Sequence, residues 1–416
     1  MWEAWRRTCQ PDTSARRLYS SIRPASLSQG KNRLASSIIR PGEEFTFAND
    51  TSANTDFCSA PHAHNQQGHF FSDWRTIGAL YPVFSPAKAK GFLDIRIPSH
   101  YYYGSTPQYT YGWDPINLEL KDVDSMEVPW ENKLDMVFWR GATTGGGNHP
   151  PGFSPQYHRH RFVRMASDTS STPRVVTFAY PPSSATNWVS AQVPVGDLND
   201  DVLDAAFVKV TAAENYPGGL PALKKDHRFS DSVPLGAHWG YKYLVDLDGM
   251  SYSGRFLAFL ASDSVPLKAT VYKEFFSDWI QPWYVTISPR KYYRTHSFSR
   301  VHFIPLSPSY REIYNIVAFF SGPPKSVIEA YNSSMVDMPP EERRSIDGER
   351  RLKRIARAGK RWKQTIGRKI DLEGERCTGN LDAMLTSSMK IVYVYRLCIE
   401  WARLWADDRD SMNYLG

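Results

Sequence analysis

Two stretches of this 416-residue chain carry residue types that could hold an anion. The first is WRGATTGGGNHPPGFSPQYHRHRF, residues 139–162. It follows an apolar run and offers glycines, the hydroxyls of Thr143 and Thr144, and then Arg159 and Arg161 where a helical pattern begins. Glycine lets main-chain N–H groups approach an anion closely, and arginine forks match phosphate oxygens. The second is YKYLVDLDGMSYSGRFLAFLAS, residues 241–262. Its apolar run ends at Asp246-Leu-Asp248-Gly249, turns through small residues including Ser253, and opens a helix with Arg255. A cation in a helix's first turn opposes the helix dipole. An anion seated at that end reverses the balance. Each stretch also has a plain reading, as a Gly-rich surface loop and as a packed helix cap.

Other chemistries fit less well. The glycine spacing matches neither G-x-x-x-x-G-K-[ST] nor G-x-G-x-x-G. Asp246 and Asp248 imitate the D-x-D that holds a metal and a nucleotide-sugar phosphate in some enzymes. Alternate strand residues share a face without any metal, so no metal is expected here. The histidines lack H-E-x-x-H spacing, although His158 and His160 flank Arg159. There is no G-x-S-x-G. The four cysteines show no C-x-x-C, which argues against zinc. Cys9 and Cys58 both lie in a loop-rich region, where an oxidising compartment would allow a disulfide. Asn49-Asp-Thr51 and Asn332-Ser-Ser334 are glycosylation sequons, a weak pointer to the same compartment.

The elements that must position these loops read as α/β from about residue 132. Strand patterns occur at 134–141, 174–180, 241–249, 264–269 and 301–306, and helical patterns at 160–167, 254–262 and 310–322. Alternation of this kind predicts a parallel sheet whose ligands sit beyond the carboxyl ends of the strands. Before residue 132 the pattern is weak, with a short strand signal at 93–98. Apolar residues are 41% and charged residues 22%, a globular balance. Aromatics reach 14%, which serves either a core or sugar-stacking platforms. The net charge of +7 is local. Residues 341–369 carry a net of +8, leaving the remainder near −1. That segment predicts one helix with Leu352, Ile355, Ala356 and Trp362 on one face and a solvated basic face opposite. A long amphipathic helix is expected at 389–409. No apolar run approaches 18 residues, so no membrane span is expected.

Several separated motifs, in order, resemble glycosyltransferase family 90: VFWRGATTGG, HRHRF, HWGYKYLVDLDGMSYSGRFLAFLASDSVPLK, EFFSDWIQPW and VHFIPL. LDIRIPSHYYY and PWENKLDMVFWRG resemble its fungal capsule-associated xylosyltransferase branch; animal protein O-glucosyltransferases form another. The resemblance implies a GT-B-like architecture of two Rossmann-like lobes with the N-terminal lobe truncated. Residues 1–131 would be the remnant of the acceptor lobe, 132–371 the donor lobe, and 372–416 an insert and a returning helix. It implies inverting transfer of xylose or glucose from a UDP-sugar to a glycan or glycoprotein acceptor, without metal or other cofactor. Arg140, Gly141, Thr143 and Thr144 match the loop beside the diphosphate, and Arg161, or in second place Arg159, a phosphate-facing arginine. Gly249, Ser253 and Arg255 match the turn that holds the diphosphate, and Glu274 and Phe275 the segment near the nucleoside. The implied location is the Golgi or endoplasmic reticulum lumen, with nucleic acid not expected as a partner.

The sequence also departs from the family. The family's general base is an aspartate upstream of the region matching WRRTCQPDTSARR, and no replacement is found. A fragment that binds a nucleotide-sugar or glycan without transfer is therefore the competing expectation, with nucleic-acid binding through the basic helix a third. Residues 284–300 and 372–388 interrupt otherwise continuous motifs and read as retained introns, with a membrane anchor lost upstream. Transcripts sequenced across these junctions should mostly lack both inserts. A dominant transcript that encodes them and starts at Met1 would count against that reading.

Overall fold

The computed structural model describes residues 9–17, 58, 59, 61, 84–89, 94–99, 126–145, 154–182, 184, 187–249, 251–283, 301–307, 309–331, 344–366, 398 and 400–403. The two inserts and nearly all of 389–409 lie outside the described residues. Strands β1 (Phe84–Ser85), β2 (Ala87–Ala89) and β3 (Ile95–Arg96) precede strand β4 (Leu134–Ala142). Helix α1 (His158–Ala166), β5 (Pro173–Ala179), β6 (Trp188–Pro194), α2 (Val195–Val202), β7 (Leu203–Lys209) and α3 (Gly219–Asp226) follow. Then come β8 (Tyr241–Leu247), α4 (Phe256–Phe259), β9 (Val265–Ala269), β10 (Tyr272–Glu274), β11 (Ile304–Pro305), α5 (Ile313–Phe320), α6 (Lys325–Tyr331) and α7 (Ile346–Ile366).

The main sheet has five strands in the order β11-β9-β8-β4-β7, all parallel. Both of its faces are covered, which is why β8 is buried along almost its whole length. Val137, Trp139, Tyr243, Val245 and Leu267 join the large core on one face. Phe138 and Leu244 meet Leu235, Trp239 and Phe259 on the other. Trp139 is wedged edge-on against Phe162 of α1 and Phe207 of β7. A Cβ at Gly141 would stand 2.6 Å from that indole, so glycine is what lets the ring lie along β4.

Two expectations need correction, and one strand went unanticipated. The strand at 174–180 does not join the parallel sheet: β5 pairs antiparallel with β6 in a separate two-stranded sheet. That hairpin packs beneath α5, where the Thr177 amide donates to Asn315 Oδ1. The parallel neighbour of β4 is β7, LDAAFVK, whose two alanines weaken any strand signal. The helix expected at 254–262 is the single turn α4.

The basic helix α7 forms as expected, and Leu352, Ile355, Ala356 and Trp362 are all buried. Glu349 ties it down by accepting from Lys242 Nζ at 2.7 Å and Trp130 Nε1 at 3.1 Å. Gly359 lies on the same inward face. A Cβ there would approach His302 O and Leu260 Cδ2 to 2.8 Å. Residues 84–89 and 94–99 are also tied in: β2 pairs with β10, and Arg96 donates to Glu274 O at 2.7 Å. Cys9 and Cys58 form a disulfide.

Gly359→Ala tests the close approach of α7. Helix propensity alone favours alanine by about 1 kcal/mol. Contact with a backbone carbonyl that cannot move aside should outweigh it and destabilise by about 1–3 kcal/mol. Urea unfolding of the variant should show a lowered midpoint; a raised midpoint would mean that the helix has room to shift.

Candidate functional site

The strand order creates a switch point. From β4 the chain crosses to β7 on one side, then returns past β4 to β8 on the other. In open parallel sheets the crevice beyond the carboxyl ends of two such strands is the preferred ligand site. The loops leaving β4 and β8 are the two stretches singled out in the sequence.

Arg159 spans both strand ends. Its Nε donates to Asp248 O at 2.8 Å, and its Nη1 to Thr144 Oγ1 at 2.6 Å and Ala142 O at 3.3 Å. Its neighbour His158 is hydrogen-bonded through Nε2 to the same Asp248 carbonyl. Gly145 sits against both elements at φ +98°; a Cβ there would meet His158 and Gly249 O within 2.9 Å. That is a left-handed backbone in a space with no room for a side chain, so glycine is required twice over. The Thr143 hydroxyl donates to Thr211 O and accepts from Thr211 N, joining the loops after β4 and β7.

Arg255 enters from the β8 side. Its Nη1 donates to Arg140 O at 2.6 Å, and its guanidinium lies 5.8 Å from the ring centres of Trp139 and Phe259. Nε and Nη2 make no hydrogen bond with any described residue, and the side chain is partly exposed. The Arg255 amide donates weakly to the buried Ser253 hydroxyl at 3.4 Å. Because α4 is one turn long, little helix dipole backs this position. The electrostatic case for an anion rests on the guanidinium itself.

The other expected residues divide. Thr144 and Gly249 lie at the crevice; a Cβ on Gly249 would reach Arg159 Nη2 at 3.4 Å. Arg140 contributes its carbonyl, while its guanidinium turns back along the sheet to Asp204 at 2.6 Å. Arg161 lies over the Tyr310 ring, 5.5 Å from its centre, so Arg159 and not Arg161 bridges the strand ends. Glu274 is fully buried and ion-paired with Lys268 at 3.1 Å. Phe275 packs edge-on against Phe276 and Trp279.

Asp246 and Asp248 are each occupied. Asp246 pairs with Lys268 at 2.7 Å. Asp248 accepts from Thr270 Oγ1 at 2.6 Å and from Val271 N at 2.9 Å. Burial pushes the Asp248 carboxyl up to about 7 despite those donors. It is 2% exposed, so it is not placed to take a proton from a bound acceptor. His158 and His160 are held down to about 3, first by burial and then by the neighbouring Arg159 and His227 charges respectively. His238 is held to about 3 by burial and by Arg255, and His302 to about 4 by burial.

No protein-family model matches this chain, and no curated protein matches it.

Burial depresses His158, His160, His227, His238 and His302 and raises Asp248 and Glu312, and the two sets act on stability in opposite directions. A histidine that stays neutral when folded contributes stability present above 6.5, lost as pH falls toward 3–4. Asp248 contributes stability present below 3.8, lost as pH rises through about 7. The five depressed histidines outweigh the two raised carboxyls, at about 1.4 kcal/mol per proton per pH unit. Urea midpoints should therefore fall steeply below pH 6.5 and slightly above it. In Asp248→Asn the acid limb should steepen and the small decline above 6.5 should shrink; an unchanged profile would exclude Asp248 as an opposing group.

Proposed function

We propose that this chain is a UDP-sugar-binding protein of GT-B-like architecture, and that it transfers xylose or glucose with inversion to a glycan or glycoprotein hydroxyl. In this reading residues 132–371 form the donor lobe, 1–131 belong to the acceptor lobe, and 372–416 return across them. The carrying observation is Arg255, anchored by one hydrogen bond at the switch point with further guanidinium N–H groups without a described partner. The motif resemblance supplies the identity of the anion as a nucleoside diphosphate.

The mechanism follows from the charge on the leaving group. Breaking the sugar–phosphate bond puts negative charge on the diphosphate. Arg255 at the crevice stabilises that charge as it develops, with Thr144 and the backbone around Gly145 and Gly249 lining the approach. Arg159 keeps the two loops in register. No metal is assigned to this step: Asp246 and Asp248 are engaged by Lys268 and Thr270. The Cys9–Cys58 disulfide supports an oxidising lumen as the location. No helix among the described residues is long and apolar enough to cross a membrane.

A second reading, binding without transfer, is favoured by the state of the carboxylates. Asp246, Asp248 and Glu274 are all buried and bonded, so none is offered as the base that must deprotonate an acceptor hydroxyl.

Calorimetric titration with UDP, with and without EDTA, tests the shared part. Binding should survive EDTA, and Arg255→Ala should weaken it by about 1.5–3 kcal/mol, the scale of a charge-assisted hydrogen bond. Unchanged affinity in a folded Arg255→Ala variant removes Arg255 from the site. Incubation with UDP-xylose or UDP-glucose and an acceptor then separates the readings: released UDP and a new glycoside support transfer, and binding alone supports the second.

A further inference from the structure

Helix α7 presents Arg350, Arg354, Arg357 and Arg361, all exposed, at spacings of four, three and four residues. At 3.6 residues per turn they fall within a sector of about 60° and span about 16 Å. That sector is diametrically opposite Leu352, Ile355 and Gly359, which pack inward. Neighbouring cations on the helix flanks have partners: Arg351 with Asp347, Lys353 with Glu131 and Lys360 with Asp263. None of the four outward arginines has an ion pair with a described residue. One turn before Arg350, on the same side, stands Ile346, 65% exposed.

We propose that this face of α7 docks the protein on an anionic phospholipid bilayer. Like charges three and four residues apart disfavour a helix unless an external counter-charge is supplied. Because the arginines lie along one straight ridge, all four can reach a plane together. Near an anionic bilayer each arginine strengthens attachment roughly fivefold, and an exposed isoleucine in line with them enters the headgroup boundary. Nucleic acid fits this face less well. The ridge carries an aliphatic residue and no aromatic ring for base stacking, and the rest of the chain is near neutral.

The test is co-sedimentation of the full chain with vesicles of phosphatidylcholine alone and with 30% phosphatidylserine added. Binding should require phosphatidylserine and fall as salt rises. Arg354→Ala/Arg357→Ala should lower the partition coefficient roughly 25-fold. Ile346→Ser should lower it several-fold while keeping the salt dependence. These positions are exposed, so urea midpoints should match the parent and certify the fold. Equal binding to neutral vesicles, or no response to the double variant, overturns the proposal. So does a single-stranded DNA oligonucleotide that binds the chain more tightly than the vesicles and is indifferent to Ile346→Ser.

Discussion

Everything at the switch point depends on Arg159. Parallel strands end with carbonyls that point into the space between loops, and buried carbonyls without donors cost about 1–3 kcal/mol each. One guanidinium supplies donors to Ala142 O, Asp248 O and Thr144 Oγ1 at once. It thereby fixes the ends of β4 and β8 relative to α1. A lysine could not replace it, since one ammonium cannot reproduce a planar fork over two strand ends. Arg159, the second choice for a phosphate-facing arginine, is thus largely engaged in building the site. The one nearer solvent, Arg255, retains donors for something else.

A second constraint lies deeper on the opposite face. Lys268 is buried with Asp246 and Glu274, both within hydrogen-bonding distance, and its Nζ sits 4.1 Å from the Phe256 ring centre. A buried charge is tolerated only when paired, and removing one member leaves the others uncompensated. Burial alone would lower the lysine, but the two carboxylates raise it above its ordinary range, so the ammonium is retained. The triad links β8, β9 and β10, and β10 in turn pairs with β2. The position of β2 against the main sheet is therefore coupled to a charge cluster two residues from the candidate site.

The sequence made part of this legible and hid part of it, for identifiable reasons. β4, β8 and β9 are near-continuous apolar runs, the signature of strands covered on both faces, and α7 declared itself by periodicity and charge. β7 was hidden because LDAAFVK has small residues where a strand signal needs branched ones; its burial comes from neighbours rather than from its own bulk. The β5–β6 hairpin was misassigned because a strand's pattern does not say which partner it takes. At the site, alternation in HRHR left Arg159 and Arg161 equivalent by type. Only the pose of α1 decides that one faces the strand ends and the other Tyr310. Asp246 and Asp248 imitate a metal motif, and spacing alone cannot reveal Lys268 and Thr270 as their partners.

The shortness of α4 changes how an anion would be held. A long helix offers a preformed dipole and several free amides, so its anion site survives the loss of any one side chain. A single turn offers neither in full, and the burden shifts to a flexible guanidinium steadied by Arg140 O and by the faces of Trp139 and Phe259. Those two rings belong to opposite cores of the sheet. The orientation of Arg255 is consequently set by how both cores pack, and Gly141, which admits the Trp139 ring, becomes part of the site without touching a ligand.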